Sequence, residues 1–198
     1  MITYIKGKIV EKSPAYVVIE TAGGVAYFIH ISLTTFSKIE NCNEMIKIYT
    51  HYIIKEDSQS LFGFFDEEER NVFRLLITVN GIGANTARLI LSSLSVNEIV
   101  NSIATENYKV LQSIKGIGGK TAQRVVIDLK DKIGKPIAVN GIEKNSLSYN
   151  NNKIEALSAL ISLGFTKNIA DVVLDKIINA EGINLSVEEL IKKALKLL

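Results

Sequence analysis

The chain has 198 residues, of which 47% are hydrophobic and 22% charged, and its formal net charge is +2. This composition excludes a globally disordered chain, and charged residues interrupt every apolar run before the roughly 20 residues that a membrane-spanning helix needs. A single cysteine, Cys42, excludes an intrachain disulfide framework, and with only two histidines there is no zinc-binding spacing, so we expect a cytoplasmic protein without metal or other cofactor.

The first 64 residues predict a small all-β domain. Runs rich in Ile, Val, Tyr and Phe alternate partly with polar residues, and Ser13-Pro14 and Gly23-Gly24 separate the first three runs as turns. Five short strands in about sixty residues are typical of a barrel of the oligonucleotide-binding (OB) type, here with a short helix over Leu33–Lys38. The predicted strands are Ile5–Val10, Tyr16–Thr21, Val25–Ile31, Met45–Ile54 and Ser60–Phe64.

Residues 65–135 predict an all-α domain. The acidic run Asp66–Glu69 suits a helix N-terminus, and the spacing of the apolar residues that follow is helical. Residues 71–135 carry nine basic and four acidic residues, whereas residues 1–63 carry six of each and residues 136–198 seven of each. A basic segment inside a near-neutral chain is the electrostatic footprint of a phosphate-binding module.

Two stretches of this basic segment are nearly the same. Val79–Arg88 and Ile114–Arg124 each contain an apolar run, a Gly-Ile-Gly turn and the start of a second helix. Such a helix-hairpin-helix exposes bare amides and a helix N-terminus, which together attract an anion. Contacts of this kind recognise the phosphate backbone rather than the bases. The candidate DNA-backbone-binding residues are Gly81, Gly83, Asn85 and Arg88 in the first copy, and Gly116, Gly118, Gly119, Lys120 and Arg124 in the second.

Other interpretations of the glycine turns are weaker. Ordinary glycine C-caps would explain one copy but not two copies with matched flanks. A dinucleotide-binding fingerprint requires a strand before the turn and a third glycine, and a phosphate-binding Walker loop requires a different spacing of Gly and Lys. The sequence therefore favours DNA backbone over a nucleotide as the ligand.

The turn Lys55–Gln59 lies between two predicted strands and carries the adjacent carboxylates Glu56 and Asp57. A polar hairpin turn is the simpler interpretation. On a face that binds nucleic acid, however, the same pair would repel phosphates and could keep strands apart. The residues alone leave both interpretations open.

The remaining chain predicts a linker and a small helical domain. Residues 136–152 are rich in Pro, Gly, Ser and Asn and indicate a flexible linker. Residues 153–198 predict a bundle of three short helices, similar to ubiquitin-associated (UBA) modules, with Ser186 and Glu189 as a capping box at the start of the third helix.

In this order and at this length, the parts resemble the RuvA family, the Holliday-junction-binding subunits of the bacterial RuvA–RuvB branch-migration machine. The resemblance covers essentially the whole chain apart from the linker. It depends on the two glycine turns and on the segments Thr50-His51, Lys55-Glu56-Asp57, Leu61-Phe62-Gly63-Phe64 and Ala159–Phe165.

The resemblance implies a non-enzymatic subunit that holds four-way junctions open and square-planar during homologous recombination and DNA repair. Family members form a four-fold tetramer, in some cases two stacked as an octamer. Glu56 and Asp57 match the acidic pin of the family. Residues 153–198 would engage the hexameric ATPase RuvB, and the resolvase RuvC is expected in the same complex.

Two departures from the family pattern concern the hairpins. Ala84-Asn85 stands where many relatives carry Pro-Lys, and Ile114-Lys115 where they often carry Leu-Pro. The missing lysine weakens the predicted side-chain contribution of the first hairpin. Two other functions remain open from the residues: a helix-hairpin-helix repair nuclease or glycosylase, and a pure protein adaptor.

Overall fold

The computed structural model describes residues 1–42, 44–133, 148–181 and 185–198, and for 148–151, 180 and 181 the backbone only. The chain divides into two compact units, Met1–Val139 and Asn140–Leu198. Among the described residues, no helix is long and apolar enough to cross a membrane.

The N-terminal unit begins with a closed five-stranded barrel, which confirms the predicted fold. The strands follow the order β1-β2-β3-β5-β4, all neighbours are antiparallel except β3 and β5, and β4 pairs back with β1. A short helix lies between β3 and β4, as predicted. The bounds are β1 Tyr4–Ser13, β2 Tyr16–Glu20, β3 Ala26–Ile31, α1 Leu33–Ile39, β4 Met45–Ile54 and β5 Gln59–Phe64.

Alternation along the strands fills the barrel. Val17 and Ile19 on β2, Ile29 on β3 and Ile48 on β4 are fully buried, while their neighbours face outward. Gly63 on β5 lies where a Cβ would stand 2.5 Å from a methyl group of Ile29, so only glycine fits. The small barrel therefore has a solid core, and any ligand must bind its outside.

Five helices follow the barrel, and sequence signals mark the start of two of them. The capping box of Ser95 and Glu98 starts α4, and the acidic run starts α2 with Asp66 as N-cap. The bounds are α2 Glu67–Leu76, α3 Ala84–Ser93, α4 Val96–Ala104, α5 Tyr108–Gln112 and α6 Gly119–Ile133.

The barrel and these helices share a core. Phe62 and Phe64, at the end of β5, pack among the buried residues of the helices, and Phe73 of α2 has its ring centroid 5.2 Å and 4.9 Å from theirs. The predicted boundary at residue 64 thus cuts through a common hydrophobic cluster. Residues of the glycine turns are consequently fixed relative to the barrel surface.

A buried carboxylate also joins the two parts. Glu69 of α2 is 1% exposed and accepts hydrogen bonds from the hydroxyls of Ser32 and Thr35, at the start of α1. Burial raises the pKa of Glu69, and the two hydroxyls and the nearby charge of Lys38 offset part of that rise. The carboxylates of the acidic run at the start of α2 therefore differ in their surroundings. Glu69 points into the structure, whereas Glu68 points into solvent.

The C-terminal unit is a bundle of three helices among its described residues, as predicted. Leu160, Leu174 and Leu190, one from each helix, lie in one buried cluster. The predicted capping box of Ser186 and Glu189 starts the last helix. The bounds are α7 Ser148–Ser162, α8 Lys167–Glu181 and α9 Val187–Leu197.

The segment predicted as a linker, 136–152, falls mostly outside the described residues. Its last five residues belong to α7, which begins at Ser148. The helix extends into the polar stretch because 148–152 contain neither Pro nor Gly to stop it.

Candidate nucleic-acid interface

The first glycine turn connects α2 to α3 with few residues. Val79 and Ile82 are buried, and the amide of Ile82 donates to the carbonyl of Val79 at 3.0 Å. Gly81 has φ +94°, a left-handed conformation that glycine adopts without strain. Gly83 is the N-cap of α3, and its carbonyl accepts the first helical bond, from Ala87 at 2.9 Å.

The second glycine turn repeats this geometry between α5 and α6. Ile114 and Ile117 are buried, and the amide of Ile117 donates to the carbonyl of Ile114 at 3.1 Å. Gly116 has φ +91°, and Gly118 accepts from the amide of Ala122 at 2.9 Å. The isoleucine between the glycines is therefore buried in both copies.

The two turns present free donors at the start of a helix. Amides that precede the first helical bond have no acceptor inside their own helix. In α3 these are the amides of Ala84, Asn85 and Thr86, and Gly83 provides no side-chain cap. In α6 they are the amides of Gly119, Lys120 and Thr121. Each set lies at the positive end of a helix dipole, where an anion is stabilised.

The two glycines of each turn differ in backbone conformation and in the constraint that favours glycine. Gly81 and Gly116 need the left-handed backbone. Gly83 has φ −84°, which any residue adopts, and a Cβ at Gly83 or at Gly118 would meet no atom within 4 Å. The described part of the chain thus imposes no steric demand at these two positions, and the backbone there is open to close approach from outside.

The polar residues predicted to bind phosphate have different surroundings. Asn85 and Lys120 are exposed beside the free amides. Arg88 is partly buried and donates through Nη1 to the carbonyl of Ala15 at 3.0 Å, in the β1–β2 turn. Arg124 is exposed and reaches across from α6 to the carbonyl of Asn80 in the first turn, at 3.4 Å. Both arginines therefore hold parts of the fold together, a role that the sequence did not indicate.

The acidic pair lies at the tip of the β4–β5 hairpin. The amide of Lys55 donates to the carbonyl of Ser58 at 2.8 Å and closes a four-residue loop. Glu56 and Asp57 are exposed at its tip. Both carboxylates are consequently accessible to a ligand at this end of the barrel.

A groove connects this hairpin to the first glycine turn. It is lined by Lys55 and Ser58 of the hairpin and by the start of α3, Gly83–Thr86. The rings of His30 and Phe62 also line it. Burial lowers the pKa of His30, and the charge of Arg88 lowers it further.

Lys55 lines this groove, although sequence reasoning did not single it out. Its neighbours Glu56 and Asp57 drew attention to the turn, but only the fold places Lys55 in one groove with the start of α3.

Comparison with known families assigns three consecutive regions. Residues 1–63 match the family model of the RuvA N-terminal domain, residues 73–131 that of a SAM-like helix-hairpin-helix tandem, and residues 153–198 that of the RuvA C-terminal domain. Proteins named Holliday junction branch migration complex subunit RuvA are similar over the whole chain. The relatives from Christiangramia forsetii and Flavobacterium psychrophilum are 50% and 49% identical over 99% of each chain.

The chain belongs to the RuvA family. A further relative, from Cytophaga hutchinsonii, is 45% identical over 100% of both chains and carries the same name. Membership in this family disfavours the alternative of a repair nuclease or glycosylase, since the matched relatives are named as branch migration subunits.

Proposed function

We propose that this chain binds four-way DNA junctions through its two hairpins, without regard to base sequence. The observation that carries the proposal is the repeated geometry of the two turns, in which Gly83 and Gly118 leave open space in front of unpaired amides. The name of the relatives, which refers to Holliday junctions, supports DNA as the ligand.

Each hairpin would hold one stretch of phosphate backbone. The amides of Ala84–Thr86 and Gly119–Thr121 would donate to phosphate oxygens, and Lys120 and Arg124 would add positive charge at the second hairpin. Contacts of this kind lose strength with salt, and the logarithm of the affinity falls by about 0.9 per phosphate for each tenfold rise in salt.

Glu56 and Asp57 would act by repulsion. Two carboxylates at the tip of a protruding loop disfavour a phosphate backbone that runs over them. A linear duplex laid across this end of the barrel would meet that repulsion, whereas an open junction has a gap between strands at its centre. The pair thus favours the junction over the duplex and guides separated strands.

The other functions proposed for the chain depend on its assembly with further copies of itself and with partner proteins. We infer a homotetramer, or two stacked tetramers, on one junction, with the RuvB ATPase as the motor and RuvC as the resolvase of the same complex. Residues 153–198 would engage RuvB, for which exposed apolar side chains of this bundle, Leu163 and Ile169 among them, provide a surface. The chain itself would carry no catalytic site, and DNA as its ligand supports action in the cytoplasm.

The test is a competition experiment. A labelled four-way junction bound to the full chain is challenged with unlabelled junction or with linear duplex of the same total length and composition. We expect the junction to compete far more strongly. Equal competition would exclude the proposal, and cleavage of either DNA in the presence of Mg²⁺ would restore the enzymatic alternative.

A charge-reversed variant separates DNA binding from the adaptor alternative. Lys120→Glu should abolish binding to the junction, while Lys132→Glu, at the far end of the same helix, controls for the change in net charge. If both variants bind like the parent chain, the hairpins do not contact DNA.

A further inference from the structure

Four aromatic rings form a continuous row on the outside of the barrel. Tyr16 on β2 stacks on Phe28 of β3 with 4.6 Å between centroids and 26° between planes. Phe28 meets His30 edge-on at 5.2 Å, and His30 lies 5.4 Å from Phe62 of β5. Phe28 and His30 are two residues apart on one strand, so they share its outer face.

The outer end of this row is exposed. Phe28 is 51% exposed, and the stacked ring of Tyr16 beside it is half-buried. The row becomes progressively buried towards Phe62, which is 4% exposed. Two stacked rings on the outside of the barrel are therefore partly exposed to solvent.

The inner end of the row enters the groove of the first hairpin. His30 and Phe62 lie in that groove between Lys55 and the start of α3. Positive charge and free amides thus stand at one end of the row, and the partly exposed rings of Phe28 and Tyr16 at the other.

A carboxylate contacts the row at its outer end, where Tyr16 lies. The hydroxyl of Tyr16 donates to Glu11 on β1, which fixes the tyrosine ring. A phosphate would be repelled at this side of Tyr16 and attracted on the Lys55 side. A nucleotide strand on this face would therefore run its backbone along the groove and turn its bases towards Phe28 and Tyr16.

We propose that the β2–β3 face of the barrel binds an unpaired stretch of a DNA strand, with bases stacked on Phe28 and Tyr16 and phosphate held beside Lys55. In barrels of this topology the face of strands 2 and 3 and the loop between strands 4 and 5 are a general place for oligonucleotides. Base stacking on aromatic side chains is tolerant of sequence, as this function requires. The site rests on the proposed function, because it would receive strands that the acidic tip has parted.

A tryptophan reporter tests the site directly, because the chain contains no tryptophan. Phe28→Trp places the single indole on the row. Tyr4→Trp, at a side chain 53% exposed on β1 beside Lys47, is the matched control. On titration with an oligodeoxythymidylate of about eight nucleotides, we expect saturable quenching of the indole at position 28 and little change at position 4.

The contribution of the Phe28 ring to oligonucleotide affinity is tested by Phe28→Leu, which keeps an apolar side chain and removes the ring. Loss of one stacked base should weaken binding of the oligonucleotide roughly five- to 150-fold. Tyr4→Leu should have no such effect. Unchanged affinity for Phe28→Leu, or equal quenching at positions 4 and 28, would overturn the proposal.

Two further outcomes are distinguishable. If a second copy of the chain covers this face, emission of the Phe28→Trp variant will shift with protein concentration and not respond to the oligonucleotide, which contradicts the single-strand site. If Phe28→Leu loses the oligonucleotide while the parent chain shows no preference for junctions over duplex, the barrel site stands and the proposed function fails.

Discussion

Arg124 on α6 donates a hydrogen bond from Nη1 to the backbone carbonyl of Asn80, 3.4 Å away in the turn of the first hairpin. The basic residue that the sequence assigns to the second phosphate site is therefore also attached to the first. Because Gly81 follows Asn80 directly, this bond acts on the turn whose left-handed glycine sets the direction of α3. The two hairpins are coupled through one side chain.

Substitution of Arg124 should separate its charge from its geometry. Arg124→Lys keeps the charge but not the planar set of donors, so we expect junction affinity to fall about three- to tenfold with an unchanged salt slope. Arg124→Gln should also lower the slope by about one unit. Salt titrations of junction binding measure both, and a Lys variant equal to the parent chain would show that the bond to Asn80 has no role.

The glycines of each turn should divide into two classes. Gly81→Ala and Gly116→Ala force an alanine into the left-handed region and should cost about 1–2 kcal/mol of stability each. Gly83→Ala and Gly118→Ala meet no atom in the chain and should change stability little. They should nevertheless weaken junction binding by about tenfold or more, because the new methyl group stands where phosphate must approach the amides. Thermal unfolding and junction titrations of all four variants test this, and Gly83→Ala with full affinity would contradict amide binding.

Lys55 should substitute for the lysine that the first hairpin lacks. Lys55 and Asn85 both line the groove, and Asn85 stands where the resemblance to the family leads us to expect a lysine. Lys55→Gln should weaken junction binding and lower the salt slope by about one, whereas Lys6→Gln, an exposed lysine of β1, should do neither. Asn85→Lys should restore affinity in the Lys55→Gln background and add less to the parent chain. Additive effects in this double-mutant cycle would mean that the two positions serve separate phosphates.

Much of this architecture follows from local sequence signals. The strand pattern, the Gly-Ile-Gly turns and the capping boxes at Ser95 and Ser186 each act within a few residues, so the sequence predicts them. The free amides of the hairpins follow from the same local rules.

The contacts missed by sequence reasoning join residues far apart in the chain. Glu69 receives bonds from Ser32 and Thr35, and Arg88 bonds to Ala15. The groove that brings Lys55 to α3 exists only because Phe62 and Phe64 anchor the barrel in the helical core. No periodicity encodes such pairings, because each depends on how the barrel closes and where the helices pack.

Neutralising the acidic tip should lower the preference for junctions over linear duplex without changing the stability of the fold. Glu56 and Asp57 are exposed, so Glu56→Gln with Asp57→Asn should leave the unfolding temperature unchanged. Binding to linear duplex should rise several-fold because repulsion of phosphate is lost. The control is Glu20→Gln with Glu44→Gln, which removes the same charge elsewhere on the barrel. Equal gains in both double variants would mean that net charge, rather than the position of the pair, sets selectivity.

Glu69 should give the N-terminal unit a distinctive dependence on pH. Burial raises its pKa in the folded chain above the ordinary value of 4.5. Between the ordinary and the raised pKa the folded state binds more protons than the unfolded state, so this residue's contribution to stability falls as pH rises through that interval. Glu69→Gln removes the contribution.

The difference in unfolding free energy between the parent chain and Glu69→Gln should therefore be largest at acid pH. It should decline as pH rises through the interval and stay constant above it. Urea unfolding at several values from about pH 4 to 8 measures this difference. Glu68→Gln, on the exposed side of the same helix, is the matched control and should show no such decline. A difference that grows with pH would mean that the hydroxyls of Ser32 and Thr35 stabilise the ionised carboxylate by more than burial costs it.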